Sequence, residues 1–323
     1  MRKSLCILML LLLLFLSGCT PSAPASQKSA GSSILLGYAQ LGSESAWRIG
    51  NSQSIKDAAQ RAGVQLMFEN AEQSQEKQIK AIRSFIAYQV DVIAFSPIVE
   101  DGWDNVLREA KEAGIPVLLV DRLIKTEDES LYVGFIGSDF YEEGRSAGLF
   151  LQKKTAELDH VRIVEIAGTE DSSPMRQRGQ GFRAVLGDDP KYEILESISG
   201  DFLLSKGREC MEYLLKKYPD IDVLYSHNDS MTLGAMETIE AAGLVPGKDI
   251  IIITVDGEQK AIDLLKEGKI NCVVECTPLL GDVVMALAQK LADGQAIERN
   301  TYSSETVFTE FDKNLDSLLP RGY

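Results

Sequence analysis

Carboxylates and guanidiniums recur in this chain just where apolar runs end. Asp121-Arg122 follows the run Ile115 to Val120, and Asn228-Asp229 lies just beyond Ile221 to Ser226. Asp256 closes the run from Ile250, and Glu275 closes the run from Ile270. Glu44, Trp47 and Arg48 sit shortly after the first apolar run, and Arg176 lies in the segment Met175-Arg176-Gln177-Arg178. A carboxylate accepts hydrogen bonds, a guanidinium donates them in a fixed fork, and an indole offers a flat apolar face. Helix capping by Ser, Asn and Asp explains part of this pattern. It does not explain Trp47, Arg48, Arg122 or Arg176. Residue types of this kind hold a polar ligand; they do not make a reaction centre. His160 and His227 are the two histidines, and the sequence shows no Ser-His-Asp set, no metal-ligand cluster and no Walker-type Gly-Lys-Ser/Thr. Gly179-x-Gly181-x-x-Ala184 fits a loose dinucleotide pattern, but it falls inside a helix expected after Pro174, without the strand that such a loop requires. Paired carboxylates can hydrolyse glycosides. Asp121 and Asp256 stand among donors such as Arg122 and Asn228, which lower an acid's pKa and suit it poorly to general-acid work. No catalytic residue, cofactor or metal is expected.

The elements that must position these residues alternate. Short apolar strands fit Ile34 to Ala39, Val64 to Phe68, Val90 to Phe95, Ile115 to Val120, Val161 to Ala167, Tyr192 to Ile198, Ile221 to Ser226, Ile250 to Val255 and Ile270 to Glu275. Helices fit between them, for example Ser45 to Ala62, a helix capped by Ser74, and Asp101 to Ala113. This rhythm predicts an α/β protein of two doubly wound parallel-sheet lobes. In such sheets ligands bind beyond the carboxyl ends of the strands, where the polar residues above lie. The expected division is lobe one at 34–138 plus 277–303, and lobe two at 139–276 plus 304–323.

Residues 1–18 read as a secretory signal, with Arg2 and Lys3 ahead of an apolar run from Ile7 to Leu16 that is too short for a comfortable membrane span. Leu16-Ser17-Gly18-Cys19 resembles the lipobox of bacterial lipoproteins, which implies lipidation of Cys19. Two acyl chains anchor a protein stably where one does not. Residues 19–33, rich in Ser, Ala and Pro, then form a tether spanning roughly 20 Å at ~5–6 Å × √n. The expected location is extracytoplasmic, anchored by lipid to the cell membrane. The net charge is −15, and −17 once Arg2 and Lys3 leave. With no basic cluster, nucleic acid is not an expected partner. Cys210, Cys272 and Cys276 remain in the mature chain, an odd number that argues against a disulfide framework. On a continuous strand Cys272 and Cys276 would lie roughly 13 Å apart at ~3.3 Å per residue, so both read as small buried hydrophobes unless the strand breaks.

Four segments carry a resemblance: Gly114-Ile115-Pro116-Val117-Leu118-Leu119-Val120-Asp121-Arg122, Met175-Arg176-Gln177-Arg178-Gly179-Gln180-Gly181-Phe182, His227-Asn228-Asp229-Ser230-Met231-Thr232-Leu233-Gly234-Ala235 and Thr254-Val255-Asp256-Gly257. In order and spacing they resemble the type I periplasmic binding proteins for sugars, of the ribose- and galactose-binding type. Gly42-Ser43-Glu44-Ser45-Ala46-Trp47-Arg48, the helix Gln78 to Phe85, Gly102-Trp103 and Gly322-Tyr323 further resemble the galactofuranose-binding proteins of bacterial ABC importers. The resemblance implies that Asp121, Arg122, Arg176, Asn228 and Asp256 hold sugar hydroxyls, with Glu44, Trp47 and Arg48 on the lobe-one side. The family commonly has Gln or Asn two residues before the proline of its last crossover. Cys276 stands there before Pro278, so that polar contact is expected either to be absent or to move to Glu275 or Thr277. The implied function is hinge closure on a monosaccharide and delivery to an ABC permease, with a monomeric protein. The alternative is a sensor that presents its ligand to a histidine-kinase ectodomain. A repressor of the same fold is excluded by the export signal and by the lack of a helix-turn-helix segment before Ile34.

Overall fold

The computed structural model describes residues 34–323; the leader 1–18, Cys19 and the tether 19–33 lie outside them. Twelve strands and nine α-helices alternate among the described residues. In the first lobe β1 (Leu35–Gln40), α1 (Ala46–Ala62), β2 (Gln65–Asn70), α2 (Gln75–Ala87), β3 (Val92–Phe95), α3 (Asp104–Glu112), β4 (Val117–Val120) and β5 (Gly134–Gly137) follow in order. The second lobe runs through α4 (Phe140–Lys154), β6 (Val161–Ala167), α5 (Ser173–Leu186), β7 (Tyr192–Ser199), α6 (Leu204–Lys217), β8 (Val223–Ser226), α7 (Asp229–Ala241), β9 (Ile251–Asp256), α8 (Gln259–Lys266) and β10 (Cys272–Glu275). The chain then returns for α9 (Gly281–Ala292) and β11 (Asn300–Tyr302) before β12 (Val307–Thr309).

The strand orders are β11-β5-β4-β3-β1-β2 and β12-β10-β9-β8-β6-β7. All ladders are parallel except β10 with β12. The central strands β3, β4, β5 and β8 are buried along their whole length, as strands covered by helices on both faces must be. That is why the sequence shows them as unbroken apolar runs. Apolar clusters fill both faces of each sheet, with Phe85, Phe95 and Trp103 on one side of the first and Met211, Leu214 and Met231 on one side of the second. No described helix is long and apolar enough to cross a membrane.

The chain passes between the lobes at Ser138-Asp139, at Cys276–Leu280 and at 303–306. The short edge strands β11 and β12 escape the periodicity reading, because three residues give no measurable period. The third helix starts at Asp104 and not at Asp101, since Glu100 to Gly102 form a bend. β10 ends at Glu275, so Cys276 leaves the strand and lies on a crossing. Cys210, Cys272 and Cys276 are free and buried.

Candidate functional site

The loops at the carboxyl ends of the two sheets face each other across a cleft. Lobe one supplies Glu44, Ser45, Trp47, Arg48, Asp121 and Arg122. Lobe two supplies Phe140, Pro174, Arg178, Phe202, Asn228 and Asp256, and Cys276 on the crossing completes the lining.

Ser45 fixes the lobe-one wall. Its hydroxyl accepts the Arg48 N–H at 3.1 Å, so α1 begins at the cleft and its first turn carries Trp47 and Arg48 into it. The Arg48 guanidinium is buried between two acids, donating from Nε to Glu44 Oε1 at 3.0 Å and from Nη2 to Asp121 Oδ2 at 2.7 Å. Burial alone would lower its pKa, but Asp121 and then Glu44 raise it above the ordinary guanidinium value. Arg122 has the opposite fate: burial and the neighbouring Arg48 bring it down to about 10. It donates from Nη1 to the Ile98 carbonyl at 3.0 Å, and its guanidinium lies 5.1 Å from the centre of the Phe202 ring across the cleft. Arg48 stacks over Trp47 at 4.6 Å. The indole Nε1–H donates to the Cys276 carbonyl at 2.6 Å, so Trp47 is both a wall of the cleft and a tie to the crossing.

In lobe two, Asn228 caps α7 by accepting the Met231 N–H at 2.9 Å. Its amide also donates to the Phe202 carbonyl at 3.3 Å. Arg178 donates from Nε to Glu143 Oε2 at 2.7 Å and from Nη1 to the His227 carbonyl at 2.6 Å, and stands 3.9 Å from Asp256. Contrary to the lowering expected from its donor neighbours, burial holds the Asp256 carboxyl well above the usual carboxylate range, with Arg178 opposing the shift. Asp121 (φ 66°) and Asp256 (φ 118°) both occupy left-handed backbone conformations, at the end of the fourth strand of their respective sheets. Such conformations cost about 1–3 kcal/mol each and cluster at functional sites.

Two buried polar atoms of the lining have no hydrogen-bond partner: Glu44 Oε2, an acceptor, and Arg122 Nε, a donor. Leaving either unsatisfied costs about 1–3 kcal/mol, more for charged groups. A hydroxyl both donates and accepts, so a polyhydroxylated ligand satisfies both kinds of atom.

Of the residues singled out from sequence, Glu44, Trp47, Arg48, Asp121, Arg122, Asn228 and Asp256 line the cleft. Arg176 and Glu275 do not. Arg176 lies two residues from Arg178 on α5, off the face that Pro174 and Arg178 share at i, i+4 spacing, and its guanidinium is bidentate to Glu100 at 2.9 and 2.7 Å. Glu275 pairs with Arg321 and accepts the Thr306 N–H at 2.8 Å, and the Thr277 N–H goes to Glu305 at 3.1 Å. Of the two alternatives at the crossover, neither Glu275 nor Thr277 enters the lining, and Cys276 itself occupies it. Arg178, Phe140 and Phe202 escaped sequence reasoning. The helical period of α5 could have found Arg178; nothing local marks Phe140 or Phe202.

One trio among the described residues brings metal-ligating atoms within 4.8 Å of one another: Glu143, Cys276 and Glu305, below the cleft at the crossings. Glu305 Oε1 already accepts from the hydroxyls of Ser138 and Ser303 and from the Thr277 N–H. Burial raises the pKa of all three groups, Glu305 to about 8. Burial favours the neutral form of each member, and the Arg178 ion pair opposes it at Glu143.

A family model described as periplasmic binding protein domain matches residues 37–296. The galactofuranose-binding protein YtfQ of Escherichia coli K12 is 38% identical over 291 residues, covering 89% of this chain and 91% of that protein. A Mycobacterium smegmatis protein solved with β-D-fucofuranose superposes with a TM-score of 0.87 at 47% identity, over 90% of this chain and 95% of that one. The binding protein of the arabinose ABC transporter from Shewanella sp. ANA-3, bound to α- and β-L-arabinofuranose, gives 0.84 at 40% identity, over 88% and 94%.

Proposed function

We propose, on the footing that this chain belongs to the periplasmic binding protein domain family, that it captures one monosaccharide in the furanose form and delivers it to the permease of an ABC importer. It is a binding protein and not an enzyme, as its relatives are. The observation that carries the reading is the set of fixed hydrogen-bond donors and acceptors in the cleft, two of them without a protein hydrogen-bond partner. Glu44, Asp121 and Asp256 stand against Arg48, Arg122 and Arg178, between the rings of Trp47, Phe140 and Phe202. Fixed donors and acceptors suit the hydroxyls of a polyhydroxylated ligand. Aromatic faces cover the C–H side of a sugar ring. Galactofuranose, or a related hexose or pentose, is the ligand class that the similarities support, because relatives at 38–47% identity are named for, or bound to, five-membered rings.

The deciding experiment is calorimetric titration with D-galactose, D-fucose and L-arabinose, followed by carbon NMR of the bound, ¹³C-labelled sugar. The expected outcome is saturable binding with furanose C1 signals. A bound pyranose, or no heat with any monosaccharide, sinks the reading. The same proposal places the protein outside the cytoplasm on a Cys19 lipid anchor, supported by Leu16-Ser17-Gly18-Cys19 behind the charged leader. Cys19→Ser is expected to move the protein from the membrane fraction to the soluble fraction.

A further inference from the structure

We propose that Glu100 and Arg176 form a latch between the lobes that sets how long the sugar stays bound, without touching the sugar. The inference rests on the reading of this protein as a clamp that closes on its ligand.

Glu100 follows β3 in lobe one, and its side chain is 2% exposed. Arg176 projects from the first turns of α5 in lobe two and grips that carboxylate with both Nε and Nη2, at 2.9 and 2.7 Å. Two further bonds cross at the same place. The Glu100 N–H donates to the Asp171 carbonyl at 2.8 Å, and the Leu123 N–H donates to Ser173 Oγ at 2.9 Å. Neither Glu100 nor Arg176 lines the cleft, and neither belongs to a crossing. These contacts can exist only when the lobes are together.

The latch is built to release. A buried carboxylate stripped of its partner is costly. Glu100 keeps a second cation on its own lobe, Lys125, whose Nζ lies 3.4 Å away and whose N–H donates to the Glu100 carbonyl at 2.8 Å. Arg176 is 37% exposed along its side chain and bonds Gln180 at 3.2 Å, so it too has company when the lobes part. Opening therefore removes one of the two ion pairs of Glu100 and leaves the other in place. The bidentate fork is the part that only closure provides, and its geometry suits Arg and not Lys.

Observed affinity is the intrinsic affinity scaled by the fraction of molecules in the competent state. A contact made only in the closed state acts mainly on dissociation. Arg176→Ala is expected to raise the dissociation rate and the Kd on the order of tenfold, with association nearly unchanged. Arg176→Lys should recover part of the loss.

The test is stopped-flow tryptophan fluorescence with L-arabinose or D-galactose, whichever the wild type binds more tightly. It is paired with small-angle scattering of wild type, Arg176→Ala and Arg176→Lys, with and without sugar. Melting without sugar serves as the folding control, since the Arg176 side chain is already partly solvated. Faster release with unchanged association and partial rescue by lysine support the latch. An unchanged Kd in Arg176→Ala, while the wild type still compacts on sugar, overturns it. So does abolition of binding at every concentration, which would make Arg176 a ligand contact. A wild type that binds without compacting defeats the underlying clamp reading, and the latch with it.

Discussion

Arg122 is buried yet its Nε has no hydrogen-bond partner, lying 3.8 Å from Asp121, while Arg48 beside it is fully engaged by two carboxylates. Arg48 is thus scaffold for the lobe-one wall, and Arg122 offers its free hydrogen-bonding capacity to the cleft. Arg122→Ala is expected to leave a folded protein that no longer gains stability from sugar. The wild type should gain about 2.7 kcal/mol at a hundredfold excess over Kd, read as a thermal shift. A full shift in the variant would place the ligand elsewhere. Gly168 acts by being small: a Cβ there would lie 1.9 Å from the Phe202 ring. Gly168→Ala is expected to push Phe202 into the cleft, costing about 1–3 kcal/mol of stability and most of the sugar affinity. Melting and titration of the same sample measure both losses. Residues that follow strands were legible from sequence, since Asp121, Asn228 and Asp256 each close a buried apolar run and each lines the cleft. Arg176 and Glu275 were misplaced because chain order does not say which way a side chain turns. The rotation of α5 decides the first, and the pairing with Arg321 decides the second.

At the scale of elements, α4 and α5 form the platform that aims Arg178. A Cβ at Gly144 would lie 2.1 Å from the Arg178 carbonyl oxygen, and one at Gly181 would lie 2.0 Å from the Tyr141 carbonyl oxygen. The two helices therefore touch backbone to backbone, and this close approach puts Glu143 of α4 within 2.7 Å of Arg178 of α5. Gly181, one member of the loose dinucleotide pattern, is a helix-packing residue. Gly181→Ala is expected to cost about 1–3 kcal/mol or more through forced separation, measured by urea unfolding, and to weaken sugar binding beyond the stability loss. The long elements were readable because burial on both faces leaves unbroken apolar runs and helices keep their caps, as Ser45 and Ser74 do. The edge strands β11 and β12 were not, being three residues each with exposed positions.

For the molecule as a whole, the crossings carry a titration that links stability to pH. Glu305 on the third crossing has its pKa raised to about 8, first by burial and then by Glu143 of α4. Hydrogen bonds from Ser138, Ser303 and Thr277 pull the other way without prevailing; the Cys276 sulfur lies within 4.8 Å of both carboxylates, and the Arg178 guanidinium lies beyond Glu143. The unfolded chain titrates Glu305 near its ordinary value of 4.5. Between those two values the folded protein holds a proton that the unfolded chain has lost, so stability falls as pH rises. The contribution is complete below the unfolded pKa and is lost as pH climbs through about 8. Its size is on the order of a few kcal/mol. Glu165 runs the opposite way. Burial would raise its pKa, but His227 and Arg183 lower it below the ordinary value, so its contribution is lost as pH falls. The difference between wild type and Glu305→Gln isolates the crossing, because Gln keeps a neutral side chain at every pH. Melting temperatures measured from pH 5 to 9 should show wild type declining relative to Glu305→Gln through the upper half of that range. Parallel curves would mean that Glu305 is already ionised at the crossing and that the three strands are joined there by a charge and not by a proton.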